Sequence, residues 1–146
     1  MDPSEIRTRA LNFLARREYS RSELAARLAE KDADRETIDA VLGELEQAGW
    51  LSDKRYVEQV LNARLGRYRR EHVVHELRAK GVSEIRIEDA LPSIMEAEND
   101  ALRSVWEKKF GEKPANRKEL ARQVRFLQSR GFSLGEILKL IGHIED

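Results

Sequence analysis

Glu76-Leu77-Arg78-Ala79-Lys80-Gly81-Val82-Ser83 and, fifty residues further on, Phe126-Leu127-Gln128-Ser129-Arg130-Gly131-Phe132-Ser133 carry the same turn. Each runs basic residue, glycine, apolar residue, serine. A glycine here ends one helix by entering the left-handed region, and the serine starts the next by capping its free amides. The match extends downstream, with Ile87 on Ile137, Leu91 on Ile141 and Ile94 on Ile144. A shift of 49 in the other direction places Leu28 on Leu77, Lys31 on Lys80, Asp32 on Gly81 and Ala33 on Val82. The same shift brings Ile38 onto Ile87, Leu42 onto Leu91 and Leu45 onto Ile94. Apolar matches at helical spacing arise between any two amphipathic helices, whereas the shared turn does not. Three copies of one unit are therefore expected.

Helical periodicity governs the rest of the chain. Leu24 and Leu28, then Ile38, Val41, Leu42 and Leu45, then Val57, Val60 and Leu61, and finally Ile137, Leu138 and Ile141 recur every three or four residues. Strand alternation is short and hairpin signals are missing. Helix starts are expected at Ser4, Ser22, Asp34, Ser52, Ser83 and Ser133, the last with Glu136 placed for a capping box. Stops are expected at Gly49, Gly81, Gly111 and Gly131. The reading is all-α, about nine short helices in three tandem three-helix, helix-turn-helix-like repeats covering 1–53, 54–97 and 98–146. The third helix of each copy ends near a poor helix former, at Gly43, Pro92 and Gly142, with a bend or break at Pro92 for want of an amide proton. Three helices of about ten residues bury little by themselves, so the copies are expected to pack on one another in an elongated, curved arrangement.

The 146 residues include 27 Lys and Arg and 27 Asp and Glu, with no Cys. That excludes a disulfide framework, thiolate metal sites and thiol nucleophiles. No apolar run approaches the roughly 18 residues that cross a bilayer, and no signal peptide opens the chain, so a cytoplasmic protein without membrane attachment is expected. Zero net charge argues against bulk coating of nucleic acid. The distribution is less even than the sum. From Arg64 to Lys80, six basic residues oppose Glu71 and Glu76, a net of +4. From Arg103 to Arg130, nine oppose three acids, a net of +6. The balancing acids lie in 30–53 (net −6) and 84–100 (net −5). Two basic stretches, the first interleaved with Tyr68, point to a phosphate-bearing or acidic protein partner.

The sequence holds no catalytic constellation. His72 and His75 share a helix spacing, but two histidines with no cysteine make a poor metal site, and a solvated or capping role is expected. His143 stands alone. Phosphate-cradling glycine loops and a nucleophile elbow are missing. Trp50 and Trp106 fall at helix ends or faces where core packing is expected. Neither enzyme activity nor a cofactor or metal is expected.

Several motifs together resemble the RecX family of bacterial regulators of the RecA recombinase. Arg16-Arg17-Glu18-Tyr19-Ser20 with Glu23-Leu24 and Leu28 resembles its opening motif, and Gly49-Trp50-Leu51-Ser52-Asp53-Lys54-Arg55-Tyr56 its link into the second repeat. Glu76 to Val82 is similar to its most recognisable motif, and Arg125 to Phe132 to its C-terminal one. Lys108-Lys109-Phe110-Gly111 matches a further short element. The resemblance runs in family order over about residues 8–142. It implies three tandem three-helix repeats in a curved molecule. It also implies a monomeric partner of RecA and its nucleoprotein filament that inhibits strand exchange, ATP hydrolysis and the coprotease activity toward the LexA repressor. Such a protein modulates DNA recombination, repair and the SOS response, and members also bind single- or double-stranded DNA directly. Where the family commonly has Gly-Tyr-Gly-Pro, this chain has Arg67-Tyr68-Arg69-Arg70, a more helix-compatible and cationic joint. Expected contacts to RecA or DNA are Arg64, Arg67, Tyr68, Arg69, Arg70 and Lys80 in the middle copy. In the third copy they are Lys108, Lys109, Arg122, Arg125 and Arg130. The alternatives are a stand-alone helical DNA-binding module and a helical scaffold for another protein.

Overall fold

A computed structural model describes residues 1–142, so His143 and Ile144 lie outside the described residues. Eight helices and no strands occur among the described residues: α1 (Pro3–Leu14), α2 (Arg21–Ala29), α3 (Arg35–Gln47), α4 (Asp53–Arg64), α5 (Arg70–Ala79), α6 (Glu84–Lys109), α7 (Arg117–Ser129) and α8 (Leu134–Ile141). The all-α reading holds, with one helix fewer than expected. α6 runs for 26 residues straight through Pro92, fusing two elements that the sequence separates. Pro92 cannot bond the Glu88 carbonyl, yet both residues are exposed, so water can take that acceptor. Buried Ile87, Ala90 and Ile94 hold the helix on either side of it. Gly43 likewise lies inside α3, which continues to Gln47.

Serine and aspartate caps start most helices. Asp34, Ser52, Ser83 and Ser133 act as expected, each accepting an amide three residues on. Two starts shift by a pair of residues. Asp2, not Ser4, caps α1 through Glu5 N–H, and Ser20, not Ser22, caps α2 through Glu23 N–H. The shared turn is a Schellman motif in both copies. Val82 N–H reaches the Leu77 carbonyl (3.0 Å) and Phe132 N–H the Leu127 carbonyl (3.2 Å). Gly81 (φ +77°) and Gly131 (φ +98°) occupy the left-handed position that makes this possible.

The chain divides into two compact units. The first comprises Met1–Arg64 and Glu71–Leu91. Within it α1, α2 and α3 pack mutually. They bury the apolar periodicity read from the sequence: Leu24, Leu28, Ile38, Val41, Leu42 and Leu45, joined by Ile6, Ala10, Tyr19 and Leu51. Tyr56 and Val57 of α4, Val73 and Leu77 of α5, and Val82, Ile87 and Ala90 are buried in the same unit. Burial, with the Glu23 and Glu76 carboxylates nearby, pushes the Tyr56 hydroxyl up to about 12.

Trp50 departs from its expected core role. It is 61% exposed, because its amide closes the turn on the Leu45 carbonyl while the next residue, Leu51, takes the apolar slot at 2% exposure.

The second unit comprises Leu65–Arg70 and the chain from Pro92 onward. Leu102, Trp106, Leu127, Ile137 and Ile141 form its core, and α7 packs on α8. Trp106 is buried as expected. Its indole N–H donates to Gln123 Oε1 (3.0 Å), and Gln123 Nε2 donates to the Glu112 carbonyl (3.0 Å). Gln123, itself 3% exposed, thereby ties the 110–116 connection to the core.

Candidate functional site

The fold sorts the cations of the two basic stretches into different employments. In the middle copy, Arg64 Nε and Nη2 grip Glu76 (3.1–3.3 Å). Arg70 meets Glu98 through Nη2 (2.8 Å), and Arg78 meets Glu84 (2.6 Å). Lys80 Nζ reaches Glu23 (3.2 Å), a carboxylate that Arg17 also holds (2.8 Å). Burial pushes the Glu23 carboxyl upward, but the hydrogen bonds from Arg17 and Lys80 outweigh it and hold the group below its ordinary range. Four of the six cations between Arg64 and Lys80 are therefore engaged inside the fold. Arg67 and Tyr68 are exposed, Tyr68 at 47%. The Arg69 guanidinium lies over the Gly131 backbone, where a Cβ would come closer than 3.0 Å to it.

The third copy arranges its cations around aromatic rings. Phe110 and Phe126 meet edge to face, with centroids 5.6 Å apart. Arg122 lies over Phe110 (5.5 Å), and Lys109 (5.2 Å) and Arg130 (5.0 Å) lie over Phe126. Among the described residues none of these three cations is ion-paired. Each ring contact is worth about 0.5–1 kcal/mol at an exposed site. That is enough to orient a side chain without neutralising its charge. Lys108 and Arg125 are exposed, and Arg125 follows Arg122 along the solvent side of α7.

The positions of these groups follow from local sequence. Asn116 caps α7 through Glu119 N–H (2.9 Å), fixing where the helix begins. Arg122, Phe126 and Arg130 then recur every four residues down one side. Phe110 arrives from the end of α6, where its amide bonds the Trp106 carbonyl (2.8 Å). The second unit thus brings together Arg69, Lys109, Arg122 and Arg130, since Arg69 covers the residue after Arg130. Sequence reasoning omitted Phe110 and Phe126 from the candidate surface. The four-residue spacing of Arg122, Phe126 and Arg130 is the signal that identifies them.

Among the described residues no group of three or more His, Cys, Asp or Glu could hold a metal ion. His72 and His75 are both exposed on α5. No helix of the described residues is long and apolar enough to cross a membrane.

Repeated three-helix units, Schellman turns at fixed spacing and a basic–aromatic face define an all-helical repeat protein. Comparison with known proteins makes the assignment particular. Residues 7–45 match the family model of the RecX first three-helix domain, and residues 96–141 that of the RecX third three-helix domain. The regulatory protein RecX of Leptothrix cholodnii is 41% identical over 144 residues, spanning 97% of this chain and 92% of the relative. That of Pseudomonas syringae pv. tomato is 39% identical over 142 residues, spanning 95% and 91%. The crystal structure of RecX from Lactobacillus salivarius superposes with a TM-score of 0.70 at 21% identity, covering 96% of this chain and 94% of that one. The chain belongs to the RecX family of regulatory proteins.

Proposed function

We propose that this chain binds RecA and its nucleoprotein filament in the cytoplasm and inhibits the recombinase, ATPase and coprotease activities. It has no catalytic chemistry of its own in this reading. Membership of the RecX family supports the choice of partner. The observation that carries the contact surface is the set of three cations, Lys109, Arg122 and Arg130, held on the Phe110–Phe126 pair. Such a face offers oriented, un-neutralised charge to carboxylates or phosphates and flat apolar edges to whatever lies between them. Lys108, Arg125, Arg67 and Tyr68 extend the proposed surface. Arg64, Arg70 and Lys80 are paired with Glu76, Glu98 and Glu23 and stand outside this set.

Stand-alone DNA binding is the second reading, favoured by the same rings, since bases stack on aromatic side chains beside a cationic groove. Zero net charge sets the two readings in order, because it weakens binding to naked polyanion while leaving a local face effective. Fluorescence anisotropy with labelled single-stranded DNA, bare or coated with RecA, tests the choice. Binding to the coated strand at concentrations that leave the bare strand free is the expected result. Equal affinity for both strands assigns the protein to the second reading.

A further inference from the structure

The shift of 49 residues that relates the first two copies carries Ser20 onto Arg69 and Arg21 onto Arg70, the last residue before and the first residue of the second helix in each copy. In both copies this pair lies against the glycine turn and the first helix of the copy that follows. Ser20, fully buried, donates from Oγ to the Lys80 carbonyl (2.6 Å), and its neighbour Ser22 lies where a Cβ on Gly81 would stand. Arg69 lies on Gly131, the glycine that a shift of 50 matches to Gly81. The first-turn amides are treated alike as well. Arg21 N–H donates to Asp53 Oδ1 (2.7 Å), on the helix that opens the second copy. Arg70 N–H donates to Glu98 Oε1 (2.9 Å), on the stretch of α6 that opens the third.

We infer that the chain uses one joint twice: the second helix of a copy is capped by a carboxylate from the first helix of the next copy, and the residue before it seats on that next copy's glycine turn. A first-turn amide has no partner within its own helix, and a carboxylate there meets the positive end of the helix dipole as well. At the second joint the carboxylate does more. Glu98 Oε2 also takes Arg70 Nη2 (2.8 Å) and Nε (3.3 Å), so one side chain holds both the backbone and the guanidinium of one residue. The Arg21 guanidinium turns instead to Glu46 and to the Asp39 carbonyl (3.2 Å).

At the third copy the α7 cap comes from Asn116, which takes Glu119 N–H, while Glu119 Oε2 takes Ala115 N–H (2.8 Å). The turn of the first copy carries exposed Asp32 at the position of Gly81 and Gly131. The glycine is thus present at the two turns on which a preceding copy seats. Arg69 and Arg70 become joint residues, next to the exposed Arg67 and Tyr68.

Residue-resolved amide hydrogen exchange on the full chain tests this. Arg21 and Arg70 amides are expected to exchange at least tenfold more slowly than the intrinsic rate of an unstructured chain. Asp53→Ala is expected to release Arg21 about tenfold and leave Arg70 unchanged; Glu98→Ala is expected to do the reverse. Asp53→Asn and Glu98→Gln keep an acceptor oxygen, so they retain most of the protection and guard against a general loss of structure in the alanine variants. Unprotected Arg21 and Arg70 amides in the parent chain overturn the inference. So does release of both amides to the same extent by either alanine substitution.

Discussion

Replacing Gly81 by alanine separates a backbone cost from a packing cost, because the chain supplies its own control. Gly49 and Gly81 have nearly the same left-handed backbone, φ +84° and +77°. A side chain in that region costs roughly 1–2 kcal/mol at either place. Around Gly49 nothing lies within 4 Å of the new methyl group, so Gly49→Ala carries the backbone cost alone. At Gly81 the methyl would overlap Ser22 Cβ and Oγ, closer than 3.0 Å to both. Ser22 sits on α2, a helix fixed by the buried Leu24 and Leu28, so it has little room to retreat. Overpacking of this kind adds about 1–3 kcal/mol. For a chain of this size each kcal/mol lowers Tm by roughly 2–4 °C. Thermal and urea unfolding followed by circular dichroism should therefore rank Gly81→Ala several degrees below Gly49→Ala. The cause is checked by a second substitution. Ser22→Gly removes both clashing atoms and should recover about 1–3 kcal/mol in the double variant, whereas Ser22→Ala keeps the Cβ and should recover little. Equal losses at Gly49 and Gly81, or equal rescue by the two Ser22 variants, would show that the overlap with Ser22 is not the cause.

The Glu23 carboxyl is held below its unfolded value, so its contribution to stability is complete above about pH 4.5 and disappears as pH falls through the depressed value. Glu23→Gln should flatten that part of the stability-versus-pH curve and leave the curve's shape above it unchanged. Gln123→Leu strands the buried Trp106 N–H and should cost about 1–3 kcal/mol, with a shift in Trp106 emission read in a Trp50→Phe background. Trp50→Phe itself, at a 61% exposed position, should change unfolding free energy by less than about 0.5 kcal/mol. Replacing Lys109, Arg122 and Arg130 by alanine should weaken binding to the RecA-coated strand at least tenfold with an unchanged circular dichroism spectrum. If phosphate is what they meet, the salt slope should fall by about 0.7 for each phosphate that is no longer neutralised.

The fold was legible wherever one residue's backbone preference decided the outcome. The Lys80-Gly81 and Arg130-Gly131 turns fell where the glycines placed them, and the spacing of Leu24, Leu28, Ile38, Val41, Leu42 and Leu45 marked a face that is buried throughout. It was illegible where packing overruled preference. Pro92 is a poor helix former, but buried neighbours on both sides carry α6 through it, and Gly43 is carried through α3 between buried Leu42 and Leu45. Trp50 reads as core by composition, and a one-residue choice in the turn gives the slot to Leu51. At the candidate surface, counting charge marked two basic stretches and could not tell which of their cations pair with carboxylates inside the fold. Arg64, Arg70 and Lys80 have carboxylates far away in sequence, at Glu76, Glu98 and Glu23. The tetrapeptide Arg67-Tyr68-Arg69-Arg70 shows the same gap. Its departure from Gly-Tyr-Gly-Pro is plain in the sequence, but the bond from Arg70 N–H to Glu98, which a proline there could not make, appears only in three dimensions.

Inhibition of RecA through the cation–aromatic face is decided by RecA-catalysed ATP hydrolysis on single-stranded DNA. Adding the purified chain at substoichiometric ratios should depress the steady-state rate, and the Lys109, Arg122 and Arg130 alanine variant should need at least tenfold more protein for the same effect. An unchanged rate at every ratio up to a molar excess over RecA would overturn the proposed function.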